Sequence, residues 1–253
     1  MNNKIKTLSP KRTAKRMYMA IIVILLASLT GACDLMKIYG SGDIVTETMD
    51  VQGFNRVVFS GAGELMLSQG DEEMVAVAAD DNLIKHIKVE VRDGTLYISH
   101  RETISPSQPI LIRVSVREIR GLELAGIIEA EANSIFAESL SVDISGVSTL
   151  RIKELEADEL VVTLSGSTEF ELTGTGVAAE QDIRMSGSNT YTAPKLQSQT
   201  TTLSLSGTND ATISVVRTLD VTVAGDGSVQ YYGSPQVSQT GSGKVSIQGL
   251  GNP

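Results

Sequence analysis

Outward-facing carboxylates are the side chains of this sequence best suited to chemistry. Acidic residues recur three positions after a repeated glycine, at Glu64, Glu129, Glu169 and Asp210. Stacked in a column, their oxygens can ligate a hard cation such as Ca²⁺. Asp143 and Arg184 share a second repeated position and, with that column, suit the cleavage of a polysaccharide. The column is interrupted by Thr149, Thr190 and Ser228, which favours a solvated charge ladder over a cation site.

The remaining chemical motifs are weaker. The stretch Gly241-Ser242-Gly243-Lys244 lacks both the earlier glycine and the following Ser or Thr of a phosphate loop, and it is interpreted as a bend. Neither His86 nor His100 accompanies a nucleophilic serine motif. One cysteine and two histidines leave no material for a disulfide framework, a zinc centre or a haem pocket. The sequence therefore predicts no catalytic residue, no metal and no cofactor, with a polysaccharide lyase or hydrolase as the enzymatic alternative.

The net charge of −9 argues against a nucleic-acid partner, because an acidic surface repels phosphate backbones. The charge is also unevenly distributed. Six of the 21 basic residues precede residue 17, and no acidic residue precedes Asp34. Without residues 1–32 the chain carries 15 basic and 30 acidic residues, a net charge of −15.

The basic start continues into an apolar run over 17–29 and then into Thr30, Gly31 and Ala32, directly before Cys33, the one cysteine. This order is typical of a secretory signal. An uncleaved membrane anchor is the less favoured alternative, since a span needs about 20 apolar residues. The sequence predicts a signal peptide over 1–32.

The segment Leu29-Thr30-Gly31-Ala32-Cys33 resembles the lipobox of bacterial lipoproteins, although its leucine stands one position upstream of the usual place. The resemblance implies cleavage before Cys33, acylation of that residue by fatty acids such as palmitate, and a lipidated tether over 33–50. The membrane then becomes a partner through the lipid on Cys33. An outer-membrane or cell-surface location is favoured, while Asp34 resembles a signal that keeps lipoproteins in the inner membrane, facing the periplasm.

Eight segments of the chain repeat around one glycine. The repeated glycines are Gly61, Gly126, Gly146, Gly166, Gly187, Gly207, Gly225 and Gly241. From Gly126 onward their spacing is nearly constant and shortens only at the last two. Apolar residues stand four and two positions before each glycine and four and six after it, with the single exception of Gln239. Such period-two alternation predicts strand, tight bend, strand. Gly or Asn two positions after the glycine suits a bend with positive φ.

A unit of about 20 residues cannot bury an apolar face alone, whereas stacked units share a continuous core. The sequence therefore predicts an all-β domain over 51–253, a parallel β-helix or β-solenoid with coils of about 20 residues. An antiparallel sandwich is the alternative. The segments 133–139 and 179–185 are too short for more than one helical turn. Asp93-Gly94 predicts a hairpin in the N-terminal part, and residues 231–235 a cap on the last coil.

The chain from about Phe54 to Ile247 resembles the head GIN domain family of putative auto-transporter adhesins. The matching features are FNRVVFSGAGELMLSQGDEE (54–73), VEVRDGTLYIS (89–99), the serial Ser-Gly units and SVQYYGSP (228–235). The resemblance implies a right-handed β-helix, no recognised catalytic residues and a role in adhesion. The expected function is that of a lipid-anchored envelope protein whose domain binds a glycan or a surface protein. A periplasmic scaffold and a glycan-active enzyme are the alternatives.

Overall fold

A computed structural model describes residues 37–100 and 103–252 of the chain. Apart from one turn of 3-10 helix over Ile84–His86, the regular structure of these residues is strand, which confirms the all-β prediction. The strands are β1 (Ile38–Tyr39), β2 (Ile44–Met49), β3 (Arg56–Gln69), β4 (Met74–Asp80), β5 (Ile87–Arg92), β6 (Thr95–His100), β7 (Ile104–Ser105), β8 (Leu111–Val116), β9 (Gly121–Gly146), β10 (Thr149–Gly166), β11 (Glu169–Val223), β12 (Asp226–Tyr232), β13 (Gln236–Gly241) and β14 (Lys244–Gly251).

The long strands stack in parallel at an offset of one repeat. Thr149 of β10 pairs with Glu129 of β9, and the same offset continues to Gly166, which pairs with Gly146. β11 stacks on β10 at this offset too, until an irregularity between Ile152 and Glu154 lengthens it by one position. Each repeat therefore lies directly against the preceding one along nearly its whole length.

The apolar rows of the repeat form the core. Leu164 is completely buried and pairs with Ile144 on one side and Met185 on the other. Two rings of neighbouring repeats, Phe170 and Tyr191, stack with centroids 4.8 Å apart inside the molecule. Like side chains therefore lie one above the other, and their burial drives the strand stacking.

The N-terminal part departs from the order of the sequence. β3 pairs with β9 on one side and with both β6 and β8 on the other, always in parallel. One level of the stack is thus divided between two strands that follow β3 in sequence. β5 and β6 form the predicted antiparallel hairpin, with positive φ at Asp93 and Gly94.

Two expectations at the ends of the domain require correction. β2, within the expected tether, pairs antiparallel with β4 and belongs to the sheet. No alternating pattern marks this strand in the sequence, because five of the six residues of β2 are exposed. At the other end, residues 231–235 do not cap the stack, since β12 is covered by β14.

Candidate binding groove at the glycine corner

The repeated glycines form one corner of the stack. Gly126 lies on Gly61, and Gly146, Gly166, Gly187 and Gly207 follow in order. A Cβ atom on any of the five glycines above Gly61 would overlap the carbonyl oxygen of the glycine below it, and all five have φ between +86° and +142°. Only glycine satisfies both conditions.

The last two glycines of the predicted series behave differently. Gly225 lies on Gly207, and its φ is not positive. Glycine is required at this position only because the backbone of Gly207 lies too close for a Cβ atom. Gly241 lies on Val223, and Gly243 is the residue that lies on Gly225. The residue of the last repeat that corresponds to Gly225 is therefore Gly243, two positions after the predicted Gly241. The last repeat has the same length as the one before it and is not shorter.

The inner side of this corner holds a buried polar ladder two positions after Gly166, Gly187 and Gly207. The hydroxyl of Thr168 donates to Oδ1 of Asn189 at 2.8 Å, and Nδ2 of Asn189 donates to Oδ1 of Asn209 at 2.9 Å. Neither asparagine has the positive φ that the sequence predicted. Their amides instead satisfy polar groups at a bend that lies away from water.

A groove of about 720 Å³ follows the outer side of the corner. It crosses five stacked levels, from Gly63 to Thr190, and its lining includes Ser148 and Thr168, both nearly buried. Two exposed aliphatic side chains, Ile127 at 67% and Val147 at 60%, lie side by side on it. We call these two residues the aliphatic ridge.

The groove is acidic. Glu64, Glu129 and Glu169 line it, and none of the described residues that line it is Lys, Arg or His. Arg151 is a neighbouring compensating charge: its Nη1 lies 4.0 Å from Glu129, while its Nε lies 3.4 Å from Glu171. The groove therefore combines an apolar ridge with hydrogen-bond acceptors, a combination that suits binding.

The predicted acidic column is present as an interrupted row. Glu64 pairs directly with Glu129, and Thr149 separates Glu129 from Glu169. Asp210 lies beside Ser228, whose hydroxyl donates to it at 2.6 Å. Within the described ranges, no group of three or more His, Cys, Asp or Glu residues is placed to hold a metal.

The second predicted pair is not brought together. Thr163 lies between Asp143 and Arg184, and Arg184 forms an ion pair with Asp182 instead. Cys33 and the predicted signal peptide lie outside the described residues. In the part of the chain that the structure describes, no helix has the length and apolar character required to cross a membrane.

A carboxylate outside the groove ties the N-terminal segment to the domain. Asp80 is buried and accepts hydrogen bonds from the backbone N–H of Gly42 at 2.8 Å and from Ser107, at 2.9 Å from its N–H and 2.6 Å from its hydroxyl. The bonds from Ser107 lower the pKa of Asp80 more than burial raises it. The charged form of Asp80 is therefore the form that joins these loops.

We expect Asp80→Asn to lower the melting temperature at neutral pH. A depressed pKa contributes stability above the ordinary aspartate value of about 3.9, and the contribution is lost as pH falls through the folded-state pKa. The gap between wild type and variant should narrow below about pH 4. Thermal melts from pH 7 to pH 3 measure it, with exposed Asp158→Asn as control. A gap that stays constant over this range would contradict the assignment.

The family model described as "putative auto-transporter adhesin, head GIN domain" matches residues 53–235. The match includes the hairpin, the glycine corner and the groove. No curated protein matches the sequence.

Solved structures show the same fold at low sequence identity. A putative adhesin from Bacteroides fragilis superposes with a TM-score of 0.79 at 23% identity, over 84% of this chain and 100% of that one. A putative adhesin from Parabacteroides distasonis gives 0.67 at 20% identity, over 85% and 100%. A protein of the same organism described as a putative lipid binding protein gives 0.65 at 19%, over 85% and 99%.

Proposed function

We propose that the chain is a surface-binding module carried on a lipid anchor, since it belongs to the head GIN domain family of putative auto-transporter adhesins. The module is a right-handed β-helix over 51–253, to which β2 adds an antiparallel strand. Its partner lies outside the cell that carries it, and the glycine corner is its binding side.

The register of the strands supports the β-helix. β9 and β10 pair in parallel at a constant offset of one repeat over Thr149–Gly166, through both faces and the bend between them. A chain with this register passes the same point once per repeat, which is the geometry of a coil. The right hand follows from the strong preference for right-handed connections between parallel strands of one sheet.

The groove is the observation that carries the binding proposal. Five levels at about 4.8 Å give it a length of roughly 19 Å, sufficient for several units of an extended polymer. Its carboxylates accept hydrogen bonds from hydroxyl or ammonium groups, and the aliphatic ridge offers apolar contact. A glycan or an extended stretch of a surface protein meets these requirements.

The anchor rests on the order of residues before the domain. A basic start, a short apolar run, small residues and then Cys33 make up the signal of a lipoprotein. Several acyl chains on one cysteine hold a protein at a membrane where one chain gives only reversible binding. β2 already belongs to the sheet, so the remaining tether is short and keeps the β-helix close to the membrane that carries it.

Adhesion of cells that express the full-length chain tests the proposal. We expect attachment to mucin-coated wells, and we expect Ile127→Lys with Val147→Lys to reduce it about tenfold, equivalent to about 1.4 kcal/mol of binding. Val216→Lys is the matched control, since Val216 is also an exposed valine, at 41%, and does not line the groove. Equal attachment of the groove variant and the control, at equal surface levels, would count against the groove.

A further inference from the structure

A gap in the stack lies at the corner opposite the glycines. β3 accompanies β9 only as far as the pair Leu67 and Ala132, and β3 ends at Gln69. β10 continues to pair with the other side of β9, from Ser134 to Ser139 and beyond. The stretch 133–139 of β9 therefore has a strand on one side and none from β3 on the other. We call this stretch the open edge.

Gln69 fills part of the missing place with its side chain. Its Oε1 accepts a hydrogen bond from the backbone N–H of Phe136 at 2.9 Å. Its Nε2 donates to the carbonyl oxygen of Phe136 at 3.1 Å and to that of Arg117 at 3.0 Å. A primary amide thus makes the two bonds to Phe136 that a neighbouring strand would make.

The backbone before Phe136 is oriented for the same pairing. N–H and C=O groups alternate between the two edges of a strand, and Ser134, Ile135 and Phe136 pair with β10 without interruption, so the backbone groups of Ser134 point toward the same edge as those of Phe136. A cavity of about 300 Å³ lies here, between residues 118–120 and residues 136–139. The space needed for an added strand segment is already present.

The side chain of Phe136 supplies an apolar anchor. It is 53% exposed, and it lines both this cavity and a second one of about 280 Å³ that also contains Val177. Carboxylates surround it, because Glu138 belongs to the first cavity and Glu154 and Glu156 to the second. Among the described residues that line either cavity, Arg120 is the one basic side chain, and it is paired with Glu118 at 3.4 Å.

We propose that the open edge binds an extended segment of a partner protein by strand addition. The backbone of the segment replaces the amide of Gln69 at Phe136, and one of its apolar side chains packs on the ring. The acidic surroundings select a segment with Lys or Arg beside that apolar residue. Main-chain hydrogen bonds provide affinity in this mode of recognition, while the pockets for alternate side chains provide specificity.

Peptides selected from a random peptide phage library on the purified full-length chain provide the probe. We expect the selected peptides to carry basic residues next to an apolar one, and synthetic copies to lose about tenfold in affinity for Phe136→Ala. N-methylation of the peptide backbone should weaken binding at every second position only, since alternate amides face the edge. Val216→Ala is the control and should bind as wild type does.

Gln69→Ala separates strand addition from simple contact with the ring. Removing the competing amide should leave affinity equal to that of wild type or raise it, whereas a ligand held by Gln69 itself would bind less tightly. The proposal is overturned if no peptide is enriched, if enriched peptides bind Phe136→Ala unchanged, or if N-methylation has no alternating effect. Loss of glycan binding in Phe136→Ala, without any peptide binding, would assign the ring to sugars and overturn it as well.

Discussion

Leu164→Asp should unfold the central part of the stack. Leu164 is fully buried between Ile144 and Met185, with no polar partner for a carboxylate. Burial of an unpaired charge costs several kcal/mol, and whole domains are stable by only about 5–15 kcal/mol. Because each repeat is stabilised by its neighbours, the loss spreads to the adjacent levels. Thermal melts followed by circular dichroism measure the effect.

Thr163→Asp is the matched control for this variant. Thr163 is the neighbouring residue in sequence and points outward, where it lies between Asp143 and Arg184. One neighbour repels a new carboxylate and the other attracts it, so the change in stability should stay within about 0.5 kcal/mol. Equal melting temperatures for the two aspartate variants would contradict the inward assignment of the leucine row.

Gly146→Ala should destabilise the domain through the glycine corner. Gly146 has a φ of +86°, and a Cβ atom there would overlap the carbonyl oxygen of Gly126. That oxygen belongs to the backbone of the level below, so it cannot yield without disturbing the register. We expect a loss clearly larger than the roughly 1–2 kcal/mol that a left-handed alanine costs by itself.

Gly53→Ala separates crowding from conformation. Gly53 has a similar φ of +79°, and no atom lies within 4 Å of the position its Cβ would take. Its alanine variant should therefore show the conformational cost alone. Urea unfolding of both variants compares them, and equal losses would show that close stacking of the corner contributes nothing.

The inner rows of the fold were predictable because burial in a stacked strand follows the period of two. Val57, Leu122 and Leu164 stand at their expected places and are buried. The register of the last repeat was not predictable in the same way, since Gly241 and Gly243 both fit a glycine position. Only the pairing of β13 with β11 decides between them.

The N-terminal level could not be predicted, because its two strands are neither adjacent in sequence nor marked by the glycine. β6 and β8 pair with β3 across long intervening segments, and a repeat pattern carries no information about such pairing. The exposed strand β2 was missed for a related reason: hydrophobic alternation detects only strands with one buried face.

Only part of the groove could be predicted from the sequence. The acidic row three positions after the glycine was recognised, but the aliphatic ridge was not. Ile127 and Val147 immediately follow the repeated glycines of two consecutive repeats. An apolar residue at this outward position in both repeats was the signal that the sequence offered. For 133–139 the sequence predicts no more than one helical turn. The open edge beside Phe136 could not be predicted, because it depends on where β3 ends, a long-range property.

Protease treatment of intact cells distinguishes a β-helix exposed on the cell surface from one enclosed within the envelope. We expect the full-length chain to be digested on intact cells, and Cys33→Ser to release the domain from the membrane fraction. Protection of the chain until the outer layer of the cell is opened would contradict a surface-binding role and place the β-helix inside the envelope.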